Sequence, residues 1–576
     1  MTTLYNDPAD FADEQFAGFL DIYSDRLRGV PGGAVAHRGE APIVAVVVGG
    51  GSGHYPAFCG LVGPGLASGA VVGNVFTSPS AAQVYSVAKA AHQGRGVVLT
   101  FGNYAGDVMN FGIAAERLRR EGIDTRIVLV TDDVASAPVE ANRRGIAGDF
   151  AVFKAMGAAA AAGYDLDEVE RVGREANRAT RSFGVAFSGC TIPGATEPLF
   201  TVPAGQMGVG LGIHGEPGIR DVPLQRAHDL AGLLVDGVLS AAEDDAATRV
   251  AVIVNGLGAT KYEELFLLWG SVGPLLREAG LEPVDVEVGE LVTSLDMGGC
   301  SLTLMRLSDE LEMLWRADAY APGYRKHNDA LRGLRPVEIV ADSAESDAPP
   351  VATAAAAEIG AIVTAAMHAV SETMHADEAR LGDIDAVAGD GDHGRGMVKG
   401  ADAALRAVSG VRGGPSWLLR RAGRAWAAEA GGTSGVLWGA GLAAAGDVLT
   451  DTHDRYTAQD AAAAVEAFAA AITELGRAQR GDKTIVDALE PFARILRTEV
   501  EKGRPLAHAW SLAAREATHA AAATAALTPR IGRARPLAAK SVGTPDAGAT
   551  SFAAIVEALA RIVERPTSAE ESGAGR

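Results

Sequence analysis

The hydrophobic pattern of the chain changes near residue 337, and this change limits the folds that it can adopt. Before it, runs rich in valine and isoleucine alternate with stretches of helical periodicity. Six runs are typical of buried strands: residues 43–48, 96–101, 126–131, 249–255, 284–288 and 300–305. Apolar residues recur at helical spacing after the second run: Phe111, Ala114, Ala115 and Leu118. This alternation predicts an α/β domain with two subdomains.

The second half of the chain follows a different pattern. It is rich in Ala, Leu, Arg and Glu and has almost no β-branched runs, which predicts an all-α domain over residues 354–565. Residues 337–353 are polar, lack an apolar period and contain a Pro-Pro pair, which is typical of a linker. We therefore expect an α/β domain over residues 1–336, this linker, the helical domain, and a disordered tail over residues 566–576.

Charge and cysteine content exclude several classes of partner and site. The formal net charge of −21 argues against a nucleic-acid partner and against attachment to anionic lipid. The 3 cysteines are scattered without a C-x-x-C pair, which favours a reducing compartment and neither disulfides nor zinc. The first residues lack a basic segment followed by an apolar core, so we expect a cytoplasmic protein with no membrane partner.

Residues 382–394 place three aspartates among glycines: Asp385, Asp390 and Asp392. Such carboxylates repel one another unless a cation lies among them, and their hard oxygens suit Mg²⁺ or Ca²⁺ better than zinc. One alternative is a solvated acidic turn. A calcium EF-hand fails on spacing, because the twelfth position counted from Asp390 is Ala401 rather than a glutamate. Magnesium that holds nucleotide phosphates is the favoured interpretation.

Two loops of the first half follow predicted strands. Residues 49–54 (GGGSGH) can bring backbone N–H groups close to a ligand, although they do not form a Walker A motif. Residues 102–107 (GNYAGD) follow the next strand, so we expect Asp107 to share a crevice with His54 at the carboxyl edge of the sheet. The alternative for Asp107 is a helix N-cap.

A third glycine-rich stretch, residues 208–218, contains His214. Most histidines are surface or structural residues. The glycines on both sides of His214 would expose its ring to a small ligand, which favours a functional role.

At these residues the chain resembles the dihydroxyacetone kinase family in its single-chain, ATP-dependent form. The resemblance covers nearly the whole chain. In the first half the shared motifs are GGGSGH (49–54), NYAGD (103–107), RGIAG (144–148) and GIHGEPG (212–218). In the second half they are the aspartate cluster, GGTSG (431–435), GDKT (481–484), GRA (532–534) and DAGA (546–549).

The resemblance implies that the α/β half binds a short ketose covalently. His214 would add to the ketone carbonyl and form a hemiaminal, which selects carbonyl compounds over glycerol. Asp107 would be the general base, and His54 would orient or share the proton. The remaining substrate contacts implied in this half are Gly51, Ser52, Gly53 and Gly102.

The resemblance also implies that the helical half carries Mg-ATP. Asp385, Asp390 and Asp392 would hold Mg²⁺. The implied nucleotide contacts are His393, Gly394, Arg395, Gly396, Thr433, Ser434, Gly476, Ile485, Arg533, Asp546 and Gly548. The family pattern further implies a homodimer through the α/β domain.

The chain departs from the dihydroxyacetone-specific pattern near the predicted substrate site. Residues 55–58 read Tyr-Pro-Ala-Phe where those kinases usually have Glu-Pro-Ala-His, and Gly102 stands where some relatives have lysine. With residues 255–258 (NGLG) and 293–297 (TSLDM), the chain looks most similar to the actinobacterial erythrulose kinases of the family. The favoured reaction is therefore phosphorylation of D-erythrulose to its 4-phosphate, and the alternative substrate is dihydroxyacetone.

Two further readings remain open from the sequence. One is cyclisation of FAD to a cyclic flavin phosphate (FAD-AMP lyase activity), which needs only the helical half. The other is a catalytically silent regulatory protein, against which the intact aspartates and His214 argue.

Overall fold

The computed structural model describes residues 2–240, 247–327, 333–335, 337, 348–531 and 537–564. The chain forms two compact units, Met1–Val337 and Glu338–Arg576. The first combines sheets and helices, whereas the described residues of the second are helical and contain no strand. The predicted order of an α/β domain before an all-α domain is confirmed. Residues 338–347 of the predicted linker and the whole predicted tail lie outside the described residues, so those boundaries stay predictions.

The first unit contains eight helices and fourteen strands among its described residues. The helices are α1 (Phe11–Ile22), α2 (Ala81–Ala91), α3 (Ala105–Arg120), α4 (Gly148–Ala161), α5 (Leu166–Ala179), α6 (Ala227–Ser240), α7 (Tyr262–Glu278) and α8 (Asp309–Arg316). The strands are β1 (Leu27–Val30), β2 (Gly33–Ala36), β3 (Ala45–Ser52), β4 (Gly69–Val75), β5 (Val97–Gly102), β6 (Thr125–Val130), β7 (Thr180–Ala186), β8 (Gln206–Val209), β9 (Arg220–Pro223), β10 (Arg249–Gly256), β11 (Glu282–Gly289), β12 (Gly299–Arg306), β13 (Ala319–Tyr320) and β14 (Arg325–Lys326).

The first sheet has the strand order β1-β2-β4-β3-β5-β6. Strands β4, β3, β5 and β6 run parallel to one another. Val46 and Val48 enter one core cluster, whereas Ala45 and Val47 enter another, so both faces of β3 are covered. A strand buried on both faces requires a continuous apolar run, which the sequence has at this point.

The second sheet has the order β11-β10-β12-β7-β8-β9, in which only the β10–β11 pair is parallel among the described strands. Helices α6 and α7 pack on it. Helix α4 contacts strands of both sheets and is buried over nearly its whole length. A helix covered on all sides needs no polar face, which explains its alanine-rich sequence. The two sheets are the two subdomains that the sequence predicts.

Each of the six predicted strands overlaps an observed one: β3, β5, β6, β10, β11 and β12. The predicted helical face is also confirmed, because α3 buries all four of its apolar positions. The sequence prediction missed the other eight described strands, of which β4 and β7 are the longest. Glycine, asparagine, arginine and serine interrupt the apolar runs of these two strands, and all these residues lower the strand signal that valine and isoleucine provide.

The second unit is a closed ring of helices. Its helices are α9 (Ala354–Ala386), α10 (His393–Val408), α11 (Pro415–Ala430), α12 (Gly432–Leu449), α13 (Ala458–Gly476), α14 (Val486–Glu501), α15 (Leu506–Ala523), α16 (Ala538–Ser541) and α17 (Ala547–Val563). From α9 to α15 each helix packs against the next, α15 packs against α17, and α17 returns to α9. Their apolar faces share one core. The all-α domain expected for this half is therefore present, and it has the form of a helical barrel.

Helix α9 has the length and apolar content that could cross a membrane. Its buried residues, which include Met367 and Met374, belong to the core of the helical ring, and the helix packs against α10 and α17. Length and composition alone are weak evidence for a membrane span. The packing of α9 within the helical ring explains both its length and its apolar content.

Candidate active site

The first sheet brings His54 and Asp107 to one edge. Strands β3 and β5 are parallel neighbours, so the loops that follow them emerge at the same end of the sheet. His54 lies just after β3, and Asp107 lies in the first turn of α3, after β5. His214 comes from the second sheet, in the loop after β8. The crevice predicted for His54 and Asp107 is thus completed by a residue from the other subdomain.

His54 and His214 form a direct pair. The Nε2 atoms of the two rings lie 3.0 Å apart. The Nδ1 atom of His54 lies 2.7 Å from the carbonyl oxygen of Thr293. Phe76 stacks on His54 with ring centroids 5.0 Å apart, and Tyr104 meets the His214 ring edge-on at 4.9 Å. Two aromatic side chains therefore hold both imidazoles in fixed orientations.

A series of charged side chains lies on the side of His214 that faces away from His54. Glu216 Oε1 lies 3.1 Å from His214 Nδ1, and Glu216 Oε2 accepts the backbone N–H of His214 at 3.0 Å. Arg144 lies 3.7 Å from Glu216 and donates to the buried Asp133 carboxylate through both Nε and Nη2, at 3.0 and 2.8 Å. The series Asp133–Arg144–Glu216 orients His214 from the side away from His54.

The hydrogen bonds assign the protons of the two histidines. A carbonyl oxygen only accepts, so His54 carries its proton on Nδ1 and its Nε2 is an acceptor toward His214. Burial and the charge of His214 lower the pKa of His54 to about 3, so His54 is neutral near pH 7. Burial raises the pKa of Glu216, but the hydrogen bond and charge of His214 outweigh it and lower the pKa to about 2. Toward His54, the Nε2 atom of His214 is therefore the donor, and the Glu216 carboxylate faces the Nδ1 atom of His214.

Asp107 is a buried carboxylate in the first turn of α3 and is not the N-cap of that helix. The N-cap of α3 is Tyr104, which excludes the capping alternative for Asp107. Asp107 is 9% exposed, and its Oδ1 atom has no hydrogen-bond partner among the described residues. Burial raises the pKa of Asp107, and a hydrogen bond from Ser78 and the charge of His214 only partly offset this effect. A buried carboxylate with a free oxygen is suited to accept a substrate proton.

The glycine loop is packed tightly against the segment after β4. A Cβ atom at Gly51 would lie 2.6 Å from the backbone nitrogen of Thr77, and one at Gly53 would lie 2.8 Å from the Phe76 ring. Gly53 also has a φ of +105°. These contacts explain the two glycines by packing alone. Ser52 differs, because its buried Oγ has no hydrogen-bond partner among the described residues and is available to a ligand.

The residues that depart from the dihydroxyacetone-specific pattern lie in two places. Tyr55 and Phe58 line a cavity of about 290 Å³ whose lining does not include His54, Asp107 or His214. At Gly102, by contrast, a Cβ atom would lie 3.1 Å from the ring of Tyr104, which contacts His214. Both places reach the histidine pair: Gly102 lies beside Tyr104, and the Phe58 ring lies edge-on to His54 with ring centroids 6.3 Å apart.

The helical unit contains a cavity of about 560 Å³. Eleven predicted residues line it: Asp385, Asp390, Asp392, His393, Gly396, Thr433, Ser434, Gly476, Ile485, Asp546 and Gly548. Gly394 and Arg395 do not line it. Arg533 lies outside the described residues.

The three aspartates converge at one end of α9 and the start of α10. Asp385 lies in the last turn of α9, and Asp392 is the N-cap of α10. One carboxylate oxygen from each of Asp385, Asp390 and Asp392 lies within 4.8 Å of the other two. An all-oxygen set on the wall of a cavity fits Mg²⁺, which is bound by carboxylates together with phosphate oxygens.

The turn between α11 and α12 supplies donors to the same cavity. Gly431 and Gly432 have φ values of +62° and +55°, and α12 begins directly after them. Thr433 and Ser434 lie in the first turn of this helix, where free backbone N–H groups favour an anion. This arrangement supports the predicted phosphate contacts.

The sequence profile of the Dak1 domain matches residues 17–323, and that of the DAK2 domain matches residues 387–561. The chain belongs to the dihydroxyacetone kinase family. A D-erythrulose kinase of Mycolicibacterium smegmatis is 55% identical over an alignment of 581 residues, gaps included. The alignment covers 99% of this chain and 100% of that protein. An L-erythrulose kinase of Pectobacterium atrosepticum is 52% identical over 585 residues, 99% of this chain and 98% of that protein.

A solved structure of the family has the same fold. The crystal structure of the dihydroxyacetone kinase from C. freundii in complex with AMP-PNP and Mg²⁺ matches with a TM-score of 0.58 and 28% identity. The match covers 97% of this chain and 99% of that chain.

Sequence reasoning about this kinase family member missed several residues at the two sites. Glu216, Arg144 and Asp133 were not predicted to act on His214, although the first two lie within the quoted motifs GIHGEPG and RGIAG. In the helical unit, Lys483 of the GDKT motif lines the cavity but was given no role. Their positions in the quoted motifs could have indicated Glu216, Arg144 and Lys483, whereas Asp133 lies in none of these motifs.

Proposed function

We propose that this protein is an ATP-dependent ketose kinase that phosphorylates a terminal hydroxyl of erythrulose. The favoured reaction is D-erythrulose to D-erythrulose 4-phosphate, and dihydroxyacetone is the alternative substrate. The grouping of His214, Glu216 and Asp107 supports the proposal most directly, because it offers a ketone-capturing imidazole beside a general base. The erythrulose kinases named above, similar over almost the whole chain, support the four-carbon substrate.

The hydrogen bonds of the histidine pair support covalent capture of the ketone. His54 Nε2 accepts the Nε2 proton of His214, which frees the His214 lone pair to add to the ketone carbon. The carbonyl oxygen then takes that proton from His54 and becomes the hemiaminal hydroxyl. The proton thus moves from His214 Nε2 through His54 to the new hydroxyl, so no net proton is taken up or released, and Glu216 holds the ring at Nδ1.

Asp107 then acts on the hydroxyl that receives the phosphoryl group. Its raised pKa brings it closer to neutral pH, where a base transfers protons most effectively. Asp107 Oδ1 would accept the proton of the terminal hydroxyl as that oxygen attacks the phosphorus. Ser52 Oγ and the backbone of Gly51, Gly53 and Gly102 would hold the remaining oxygens of the ketose.

The helical unit would hold Mg-ATP in its 560 Å³ cavity. Asp385, Asp390 and Asp392 would bind Mg²⁺, and the first turn of α12 would donate to phosphate oxygens. When bound, Mg-ATP supplies the phosphoryl group with its charge partly neutralised. We expect Arg533, Arg395 and Gly394 to contribute as the family resemblance implies. A cytoplasmic homodimer associated through the α/β unit likewise remains our expectation.

One assay tests this function. ADP release is measured with D-erythrulose, L-erythrulose, dihydroxyacetone, glyceraldehyde and glycerol as acceptors. We expect the highest kcat/KM for an erythrulose and no turnover of glycerol, which has no carbonyl. Equal rates for glycerol and erythrulose would contradict the proposal.

The metal assignment has its own matched pair of variants. Asp390→Ala removes one of the three clustered carboxylates, whereas Asp383→Ala removes an exposed carboxylate of α9 outside the cluster. We expect Asp390→Ala to lose Mg²⁺-dependent nucleotide binding in calorimetry and Asp383→Ala to retain it. Full Mg²⁺ dependence in Asp390→Ala would remove the assignment.

A further inference from the structure

The GDKT loop between α13 and α14 is held rigidly although the proposed function gives it no task. Asp487 accepts the backbone N–H groups of Gly481 and Thr484, at 2.6 and 2.9 Å. Asp482 accepts the backbone N–H of Gln479 at 3.0 Å. These bonds fix the backbone on both sides of Lys483.

Lys483 uses its side chain to hold a second segment of the unit. It is 4% exposed, and its Nζ donates to the backbone carbonyls of Ser541 and Leu527, at 2.6 and 3.2 Å. Its φ of +63° lies in the left-handed region, which is uncommon for residues other than glycine. Strained conformations of this kind tend to be retained where they serve a functional site.

One of the two carbonyls belongs to a residue of the cavity wall, and the other lies close to such a residue in sequence. Ser541 lines the cavity, and so does Ile531, which follows Leu527 by four residues. After Ser541, Gly543 donates its N–H to the carbonyl of Ala525 at 2.9 Å. The Lys483 ammonium therefore links the GDKT loop to two points at or near this wall.

The same ammonium acts on Asp546, the N-cap of α17, which also lines the cavity. Burial lowers the pKa of Lys483, and the Asp546 carboxylate raises it. In return, the Lys483 charge opposes part of the rise that burial imposes on the pKa of Asp546. Lys483 thus influences both the position of the wall and the charge beside it.

We propose that Lys483 is a positioning residue that sets the affinity of the helical unit for its nucleotide. It does so by clamping the carbonyls of Leu527 and Ser541, and not by binding a phosphate, because two of its three N–H donors are committed to these carbonyls. This inference rests on the proposed function only in taking the cavity to be a nucleotide site. It concerns a residue that the proposed mechanism leaves without a role.

Two variants test the clamp. Lys483→Met removes the donors and the charge while it keeps a long side chain. Lys540→Met removes an exposed lysine of the same segment and is the matched control. Binding of Mg-ADP is measured by calorimetry on the full chain, with the melting temperature without ligand and the KM values for ATP and ketose.

We expect Lys483→Met to weaken Mg-ADP binding by roughly tenfold to a hundredfold, the scale of two lost charge-assisted hydrogen bonds. The KM for ATP should rise in parallel, and the KM for ketose should stay within about twofold of the wild-type value. Lys540→Met should match the wild type in every measurement. A Lys483→Arg variant, which keeps charge and donors, should recover part of the lost affinity.

Several results would overturn the proposal. One is wild-type affinity for Mg-ADP in Lys483→Met. Another is an equal rise in both KM values with a lowered melting temperature, because that pattern indicates a general structural role. If Lys483→Met does not fold, Lys483→Gln decides: weakened Mg-ADP binding at an unchanged melting temperature supports the clamp, and unchanged binding contradicts it. Failure of the wild type to bind Mg-ADP would instead count against the proposed function.

Discussion

The Nε2 atoms of His54 and His214 lie 3.0 Å apart, and each ring is anchored on its opposite side by a different acceptor. The backbone carbonyl of Thr293 fixes the proton of His54, and the carboxylate of Glu216 fixes that of His214. The pair is therefore polarised in one direction: His214 donates and His54 accepts. In the proposed mechanism, this polarity would make His54 the first proton acceptor during ketone capture.

Loss of the capturing imidazole should affect the ketose and not the nucleotide. We expect His214→Ala to raise the KM for erythrulose by roughly tenfold or more and to leave Mg-ADP binding unchanged. His228→Ala, which removes an exposed histidine of α6, is the control. An unchanged KM for the ketose in His214→Ala would exclude covalent capture by this residue.

The carboxylate behind His214 should matter through its charge. Glu216→Gln keeps the shape of the side chain but removes the negative charge beside His214 Nδ1. We expect a rise of roughly tenfold in the KM for the ketose, the scale of one charge-assisted hydrogen bond. Steady-state kinetics of Glu216→Gln and of Glu197→Gln, an exposed control, measure this effect. Wild-type kinetics in Glu216→Gln would show that the pair needs no counter-charge.

Removal of the general base should lower turnover more than binding. Asp107→Asn keeps the size of the side chain but cannot accept the hydroxyl proton. We expect kcat to fall by about a hundredfold to ten-thousandfold with the KM for the ketose changed little. Asp229→Asn, in the first turn of the surface helix α6, is the control. A kcat within a few fold of the wild-type value would exclude Asp107 as the base.

Buried His54 should make the α/β unit less stable in acid. Its folded-state pKa of about 3 lies below the unfolded value of 6.5, so between these pH values the unfolded chain binds the extra proton. Stability from this group is therefore complete above pH 6.5 and is lost as the pH falls. The loss amounts to about 2 kcal/mol between pH 6.5 and pH 5, at about 1.4 kcal/mol per pH unit.

Denaturant unfolding of the wild type and of His54→Gln at several pH values measures this term. As the pH falls from 6.5 to 5, the free energy of unfolding of the wild type should decrease by about 2 kcal/mol relative to that of His54→Gln. The subtraction removes the contributions of the buried aspartates, which are common to both proteins. A pH-independent difference would mean that His54 binds protons equally in the folded and unfolded states, so that burial does not lower its pKa.

Gly102 should influence which ketose is preferred. A Cβ atom there already lies 3.1 Å from the Tyr104 ring, so a side chain must push toward the ring that contacts His214. We expect Gly102→Lys to lower kcat/KM for erythrulose more than for dihydroxyacetone. Gly102→Ala, which adds only the crowded methyl group, should shift the ratio less. An unchanged ratio in Gly102→Lys would remove Gly102 as a determinant of substrate length.

Local sequence patterns predicted the elements that carry the site but not the contacts between them. The valine runs and glycine loops around His54 and Asp107 indicated strands followed by a crevice, because parallel strands end at one edge. The His54–His214 contact joins residues from two sheets, and no local periodicity encodes it. The Asp133–Arg144–Glu216 series likewise joins two loops, one between β6 and α4 and one between β8 and β9, whose approach is decided by tertiary packing.

In the helical half, too, the elements could be predicted from the sequence but the contacts between them could not. Composition and periodicity predicted the helices, and the closely spaced aspartates predicted a cation site. The clamp of Lys483 on Leu527 and Ser541 could not be predicted, because backbone carbonyls carry no sequence signature. The strands β4 and β7 were missed for a different reason, since tertiary burial overrides their weak intrinsic preference.

The central claim is that His214 captures the ketone as a hemiaminal, and carbon NMR tests it most directly. Erythrulose labelled with ¹³C at the carbonyl carbon is bound to the wild type and to His214→Ala. We expect the bound label to give the resonance of a tetrahedral carbon in the wild type and of a ketone in the variant. A ketone resonance for the ligand bound to the wild type would contradict the account.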